Sequence, residues 1–316
     1  MSDTQKYDVV YTWVDDTFAG YAQEVARYSG KPRDLDPNRT RDNLDLLRYS
    51  LRSLRHMPEL GHVHLLTCRP QVPAWLNTDH PGLTVHHHDQ IMDPAHVPTF
   101  NSFCIVSHLH LLPGLSDRFL YLEDDMVLMR PGVLPALVDS GGQGVAHFTR
   151  RKALNFDALK PDDSPWNNAL ANANRALDTR YGARQRFHAI HGPRLIDKSH
   201  FAKVMDRFAP EIAATRASRF RGNDNVPPEY LYPQAAVEDG HLRKASPAEV
   251  RGLEGYVAVE NFLPWTWLQL ALMTGRAPVT ATFNDNFGAR PNPRVVRYMR
   301  RWLDRRFPDA SPYERV

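Results

Sequence analysis

"RFLYLEDDMVL", residues 118–128, decides how this chain folds. Phe119, Leu120, Tyr121 and Leu122 form an apolar run that reads as a buried strand. The run stops in three consecutive carboxylates, Glu123, Asp124 and Asp125, before Met126, Val127 and Leu128 resume the apolar character. Adjacent negative charges beside a core are costly unless a positive or protic group meets them. Alternate side chains of a strand share a face, so Glu123 and Asp125 belong together and Asp124 turns away unless a bulge re-aims it.

Other strands and helices alternate around this segment. YDVVYTWV (7–14), HVHLLT (62–67) and LTVHHH (83–88) are rich in β-branched or aromatic residues and read as strands. Between them, Leu44, Leu47, Leu51 and Leu54 repeat at helical spacing and predict a helix over 43–57. SFCIVSHLHLL (102–112) predicts a second helix, stopped by Pro113-Gly114. Such alternation argues for an α/β fold with a mainly parallel sheet flanked by helices. Ligands of these sheets sit beyond the strand carboxyl ends. Asp15-Asp16 and the 123–125 acids both stand there, so one cleft can hold both.

After about residue 150 the pattern loosens into a helical and loop-rich half. Helices are expected over 166–180, 194–208 and 293–307, and a late strand over 279–285. The expected division is a nucleotide-sugar-binding α/β portion, 1–150, and a remainder, 151–316, carrying histidine and arginine loops, the two forming one continuous catalytic domain.

Composition narrows the class. The 316 residues, 42% hydrophobic and 24% charged, suit a globular protein. A net charge of +3 gives no reason to expect nucleic acid. No run approaches the ~18 apolar residues of a transmembrane helix. The stretch MSDTQKYDVVYTWV lacks the basic and apolar regions of a signal peptide. Two cysteines, Cys68 and Cys104, make no disulfide framework. A cytoplasmic location is expected, possible membrane contact being peripheral and through the basic helix 293–307. The oligomeric state is left open.

Several groups carry possible chemistry. Hard Mg²⁺ or Mn²⁺ prefers carboxylate oxygens, so the acids suit a divalent cation as well as a solvated turn. In VPTFNS (97–102), Asn101 or Ser102 can cap a helix or help cradle phosphate. His188 and His191 of HAIHGPR (188–194) are structural or, near carboxylates, one is a general base. Arg219 and Arg221 stand two apart and can clamp a diphosphate if the segment is extended, or remain surface charge. In the triplet His86-His87-His88 only His86 and His88 share a face, which favours a structural role over zinc.

Taken in order, these stretches resemble the Stealth family of sugar-phosphate transferases. VVYTWVDD (9–16) is similar to its first block, and RDNLDLLRYSLRSL (41–54), VPTFNS and LPGLSDRFLYLEDDMVLMRP (112–131) to its second. HGPRLIDKSHF with ATRASRFRGNDN (191–225) resembles the third, and TFNDN (282–286) the fourth. The resemblance implies a GT-A-like α/β fold and a Mg²⁺- or Mn²⁺-dependent activity. It implies transfer of a hexose 1-phosphate from a nucleotide sugar, such as UDP-N-acetylglucosamine, to a saccharide hydroxyl, with release of a nucleoside monophosphate, in capsular or exopolysaccharide synthesis. The chain departs from the family pattern at Glu123, where asparagine is usual, at Asp16-Thr17-Phe18, at Val106 and at Asn286.

On this basis Asp124, Asp125 and Asp285 are expected to hold the metal. Asp125 and Arg221 are expected to act in catalysis, with His191 or Asp15 as base. Trp13, Arg41, Asn101, Ser102, Arg219 and Asn284 are expected to bind substrate. The competing readings are a GT-A glycosyltransferase that releases a nucleoside diphosphate and a glycan-binding relative without turnover.

Overall fold

A computed structural model describes residues 5–29, 42–160, 162–288 and 290–315. The middle of its main sheet is β1 (Tyr7–Thr12), buried along nearly its whole length. That explains its unbroken apolar run, since a parallel strand covered on both faces has no polar side to alternate with. The sheet has the order β3-β2-β1-β4-β9, with β2 (Leu60–Thr67), β3 (Leu83–His87), β4 (Arg118–Glu123) and β9 (Arg194–Asp197). The pairs β1–β2, β2–β3 and β1–β4 are parallel, and β9 runs antiparallel to β4. Val10, Phe119, Tyr121 and Ile196 enter one core and Val9, Tyr11, Leu120 and Leu122 the other, the period of two that a pleated sheet imposes.

From β1 the chain builds outward to β2 and β3, then returns to lay β4 on the other side. The point where strand order reverses lies between β1 and β4, where open α/β sheets leave a crevice at the carboxyl ends. Thr12 pairs with Glu123 there.

After Glu123 the chain turns through Asp124-Asp125 into β5 (Met126–Leu128), which belongs to a second sheet. That sheet has the order β11-β12-β5, with β11 (Glu254–Val259) and β12 (Thr280–Asp285). Short pairs join β6 (Gly144–Ala146) to β10 (Leu242–Lys244) and β7 (Phe148–Lys152) to β8 (Phe187–Ala189). The β4–β9, β5–β12 and β6–β10 pairs all join residues before 150 to residues after it.

The helices of the described residues are α1 (Tyr21–Tyr28), α2 (Leu46–Ser53), α3 (Ser102–Val106), α4 (Val133–Leu137), α5 (Pro165–Tyr181), α6 (Lys198–Arg207), α7 (Ala209–Ala217), α8 (Pro228–Glu238), α9 (Pro247–Leu253), α10 (Leu263–Arg276) and α11 (Pro293–Arg306). Two expectations need correction. The helix expected over 194–208 begins as β9, because Leu195 and Ile196 are taken up by pairing with β4. Asp197 then caps α6, its carboxylate accepting from the His200 N–H at 3.0 Å. The helix expected over 102–112 tightens after Val106 into a 3₁₀ turn at Leu109–Leu111. No helix among the described residues is long and apolar enough to cross a membrane.

Candidate active site

Glu123, the last residue of β4, finds its counter-charge within the protein. Arg194, the first residue of β9, donates to Glu123 Oε1 at 3.1 Å, and His191 Nε2 lies 3.0 Å from Oε2. The antiparallel pairing of β9 with β4 is what brings this arginine across. Thr282 of β12 donates to the His191 carbonyl at 2.6 Å, so the second sheet fixes the histidine loop. The same sheet fixes Asp125, whose carbonyl accepts from the Phe283 N–H at 3.0 Å.

His191 Nε2 is also 3.8 Å from Asp125 Oδ2. Glu123, Asp125 and His191 each offer a ligand atom, and these lie within 4.8 Å of one another; among the described residues no other histidine, cysteine or acid cluster does this. Asp125 Oδ1 is buried with no hydrogen-bond partner. Two carboxylates, one with an orphaned oxygen, and an imidazole fit a divalent cation, and the nitrogen ligand suits Mn²⁺ better than Mg²⁺. Asp124 and Asp285 lie outside this trio. Asp285 accepts from Asn43 Nδ2 at 2.7 Å and from the Phe287 N–H at 3.0 Å.

The charges are strongly opposed. Burial raises Glu123, but His191 and Arg194 outweigh it and hold its carboxyl below the usual range. Burial lowers His191, but Asp125 and Glu123 outweigh it and lift the imidazole to about 9. Asp125 is raised, chiefly by burial. Asp124 is raised well above its ordinary value by burial and by Asp125, Asp42 and Glu123. Asp42, which accepts from the Leu46 N–H at 2.8 Å, is pushed to about 6 by burial. Such crowding makes the crevice hold protons until a cation takes their place.

The arginine side is built by α3 and the loop between α7 and α8. Arg221 reaches Ser102 Oγ through Nη2 at 2.5 Å and lies over the Phe103 ring at 4.4 Å. Arg219 goes elsewhere, donating to the Pro98 carbonyl at 2.6 Å and covering the Tyr28 ring at 4.7 Å. Asn101 is fully buried. Its Oδ1 accepts from the Phe103 N–H, and its Nδ2 donates to the Thr215 and Ser218 carbonyls and to Asn225 Oδ1. It ties the arginine loop to α3 rather than facing the crevice.

On the β1 side, Asp15 Oδ1 accepts from the Thr17 N–H at 2.9 Å, and the Asp15 backbone is clamped by the Gln71 amide. Asp15 lies close enough to Asp42 to help raise it. Trp13 is buried and packs edge-on to Phe18. Asn284 donates to Asn286 Oδ1 at 3.0 Å. Arg41 lies outside the described residues.

Four residues of the crevice escape the sequence reading. Arg194 stands inside the quoted HGPR motif, and only the strand pairing shows its role. Tyr256 places its ring 6.1 Å from that of His191. Asp42 joins the acids through the loop before α2. Glu229, in the first turn of α8, has a buried Oε2 with no hydrogen-bond partner, and burial with the charge of Glu123 raises it to about 7. No local pattern marks Glu229.

A mainly parallel sheet with opposed charges at its switch point defines an α/β protein whose charged groups stand where sheets of this kind bind ligands. The chain matches conserved region 2 of the Stealth proteins over residues 39–142 and conserved region 3 over 190–234, and it belongs to that family. The exopolysaccharide phosphotransferase SCO6023 of Streptomyces coelicolor is 33% identical over 314 residues, covering 98% of this chain and 52% of that protein. The capsular polysaccharide phosphotransferase LcbA of Neisseria meningitidis is 32% identical over 227 residues, covering 70% of this chain and 62% of that protein. The chain thus spans about half to three-fifths of these relatives. Among solved structures, the galactosyltransferase LgtC superposes with a TM-score of 0.44 at 13% identity, covering 92% of this chain and 95% of that one. So distant a likeness adds nothing to what the strand order already says.

Proposed function

We propose that this chain is a sugar-phosphate transferase with a GT-A-like catalytic unit, continuous across residue 150. It takes a hexose 1-phosphate from a nucleotide sugar, UDP-linked in the first instance, and places it on a saccharide hydroxyl. The observation that carries this reading is the Glu123–Asp125–His191 trio, faced by Arg194, at the carboxyl end of β4. The relatives named as exopolysaccharide and capsular polysaccharide phosphotransferases support the same class.

The acceptor oxygen attacks the β-phosphorus, the phosphoanhydride bond breaks, and the nucleoside monophosphate leaves. The sugar–phosphate bond is untouched, so the anomeric configuration is retained. Asp125, with Glu123 and His191, would hold Mg²⁺ or Mn²⁺, which when bound neutralises the diphosphate and polarises the attacked phosphorus. Asp124 and Asp285, expected from the sequence to share that task, lie outside the trio and are the alternative ligands. Arg221, already aimed at Ser102, stabilises charge on the phosphoryl oxygens. Arg219 and Asn101 support that loop, while Trp13 and Asn284 border the crevice.

The hydroxyl proton goes to Asp15 where His191 ligates the cation, and to His191 where the two carboxylates alone hold it. His191 keeps its own proton at neutral pH while Glu123 and Asp125 are both uncompensated, and in that state it donates to phosphate. It accepts a proton only when their charge is taken up.

Incubation of the chain with UDP-N-acetylglucosamine, Mg²⁺ or Mn²⁺ and a saccharide acceptor tests the reaction by chromatography of the released nucleotide. UMP is the expected product. UDP would assign the chain to glycosyl transfer, and donor binding without any nucleotide release would make it a glycan-binding relative.

A further inference from the structure

α10 is seated through one side only. Thr266, Leu270 and Met273 are buried. They pack on β11 so closely that a Cβ at Gly255 would stand 2.9 Å from Met273 Cγ. The outward side is nearly free of charge. Trp265 is 45% exposed, Trp267 56%, Leu268 39% and Leu272 60%, and Phe262, just before the helix, is 63% exposed. At helical spacing Trp265, Leu268 and Leu272 form one ridge, with Trp267 on its flank. A single exposed leucine means little, but a helix apolar on both sides belongs against something.

The neighbouring α11 supplies the opposite property. Its apolar side, Val295, Met299 and Leu303, is spent in the core it shares with Leu270 and Met273. What it leaves outside is arginine: Arg294, Arg297, Arg301 and Arg305, at i, i+3, i+7 and i+11, are all exposed on one ridge. Asp304 is the only acid of this helix, and it accepts from the Tyr49 hydroxyl. α11 therefore has charge without free apolar surface, and α10 has apolar surface without charge.

We propose that α10 and α11 together form a docking surface for an anionic lipid bilayer. Tryptophan favours the boundary between headgroups and acyl chains, where Leu268, Leu272 and Phe262 would also lose contact with water. The arginine ridge meets lipid phosphates. Charge complementarity selects this occupant: a second copy of the same surface brings no acid to the arginines, and a neutral saccharide offers neither charge nor a seat for two leucines. The proposal stands apart from the transfer reaction, since β11 turns Val257 and Val259 to the α10 side and Tyr256 toward His191.

Sedimentation of the full chain with vesicles of phosphatidylcholine, and of phosphatidylcholine with phosphatidylglycerol, tests it. The chain should pellet with anionic vesicles at least ~10-fold more than with neutral ones, less so as salt rises. Trp265→Ser/Trp267→Ser/Leu272→Ser should lower binding at least ~10-fold at unchanged far-ultraviolet circular dichroism. Arg294→Glu/Arg297→Glu/Arg301→Glu/Arg305→Glu should erase the preference for anionic lipid. Quenching of tryptophan fluorescence by brominated lipid in the unaltered chain keeps the test open should a variant misfold. The proposal falls if the unaltered chain stays in the supernatant, binds both vesicles equally, or is a dimer that the triple serine variant dissociates.

Discussion

Two of the places where this molecule joins a carboxylate to histidine have opposite characters. Around Asp8, at the start of β1, both carboxylate oxygens are satisfied. Asp8 Oδ1 accepts from the His62 N–H at 2.9 Å and Oδ2 from the Ser116 N–H at 2.8 Å, while His64 Nε2 lies 3.4 Å away. Burial raises Asp8, yet these bonds together hold it below the usual carboxylate range. His64 passes on to His86 at 2.9 Å, and burial, with the charge of His64, lowers His86 to about 4. His86 stays neutral within the sheet. At the other end, by β4, Asp125 keeps an orphaned oxygen, several carboxyls are pushed upward, and His191 holds a proton. The difference teaches that residue type does not mark a site. Groups left opposed and unsatisfied mark it, because structural polar groups are paired off wherever pairing is possible.

The sharpest way to break the comparison is Asp125→Asn. It should cut turnover by ~10²-fold or more, the usual size of a lost charge-stabilising or acid–base group, while the denaturation midpoint stays near that of the unaltered chain. Equal turnover in donor assays would remove Asp125 from the chemistry.

Asp8→Ala should do the reverse. It strands the partly buried N–H groups of His62 and Ser116 and should cost roughly 1–3 kcal/mol in denaturant unfolding, with the rate per folded molecule unchanged. A loss under ~0.5 kcal/mol would mean that water replaces the carboxylate without cost.

The smallest effect is in pH. His86 is depressed in the folded chain, so its neutral form stabilises the fold above its unfolded value, and that stability is lost as pH falls from about 6.5 through about 4. His191 is raised, so its contribution is complete below its unfolded value and is lost as pH rises from about 6.5 through about 9. In metal-free buffer, unfolding midpoints should fall on both sides of neutrality. His86→Gln should flatten the acid limb and His191→Gln the alkaline one. Exchange of these two assignments would reverse the reading of both regions.

Much of the fold was legible. β1 and β4 are legible from their apolar runs because strands covered on both faces must be apolar throughout, and β2 and β3 from their β-branched residues. β9 was misread as helix because two apolar residues, Leu195 and Ile196, are too few to show a period. α10 and β11 went unassigned. α10 is apolar on nearly every side and gives no helical contrast. α8 carries Pro233 in its interior and was equally silent.

By itself the sequence determined the alternation of strands and helices, the family, and the placing of acids at strand ends, since these depend on local pattern and order along the chain. Only the tertiary structure decided which charges meet. Arg194 reaches Glu123 through a strand paired 71 residues away, His191 is fixed by β12, and Glu229 arrives from α8. The energy of a charge depends on what lies within a few ångströms of it, and in a sheet with crossed connections those neighbours are distant in sequence.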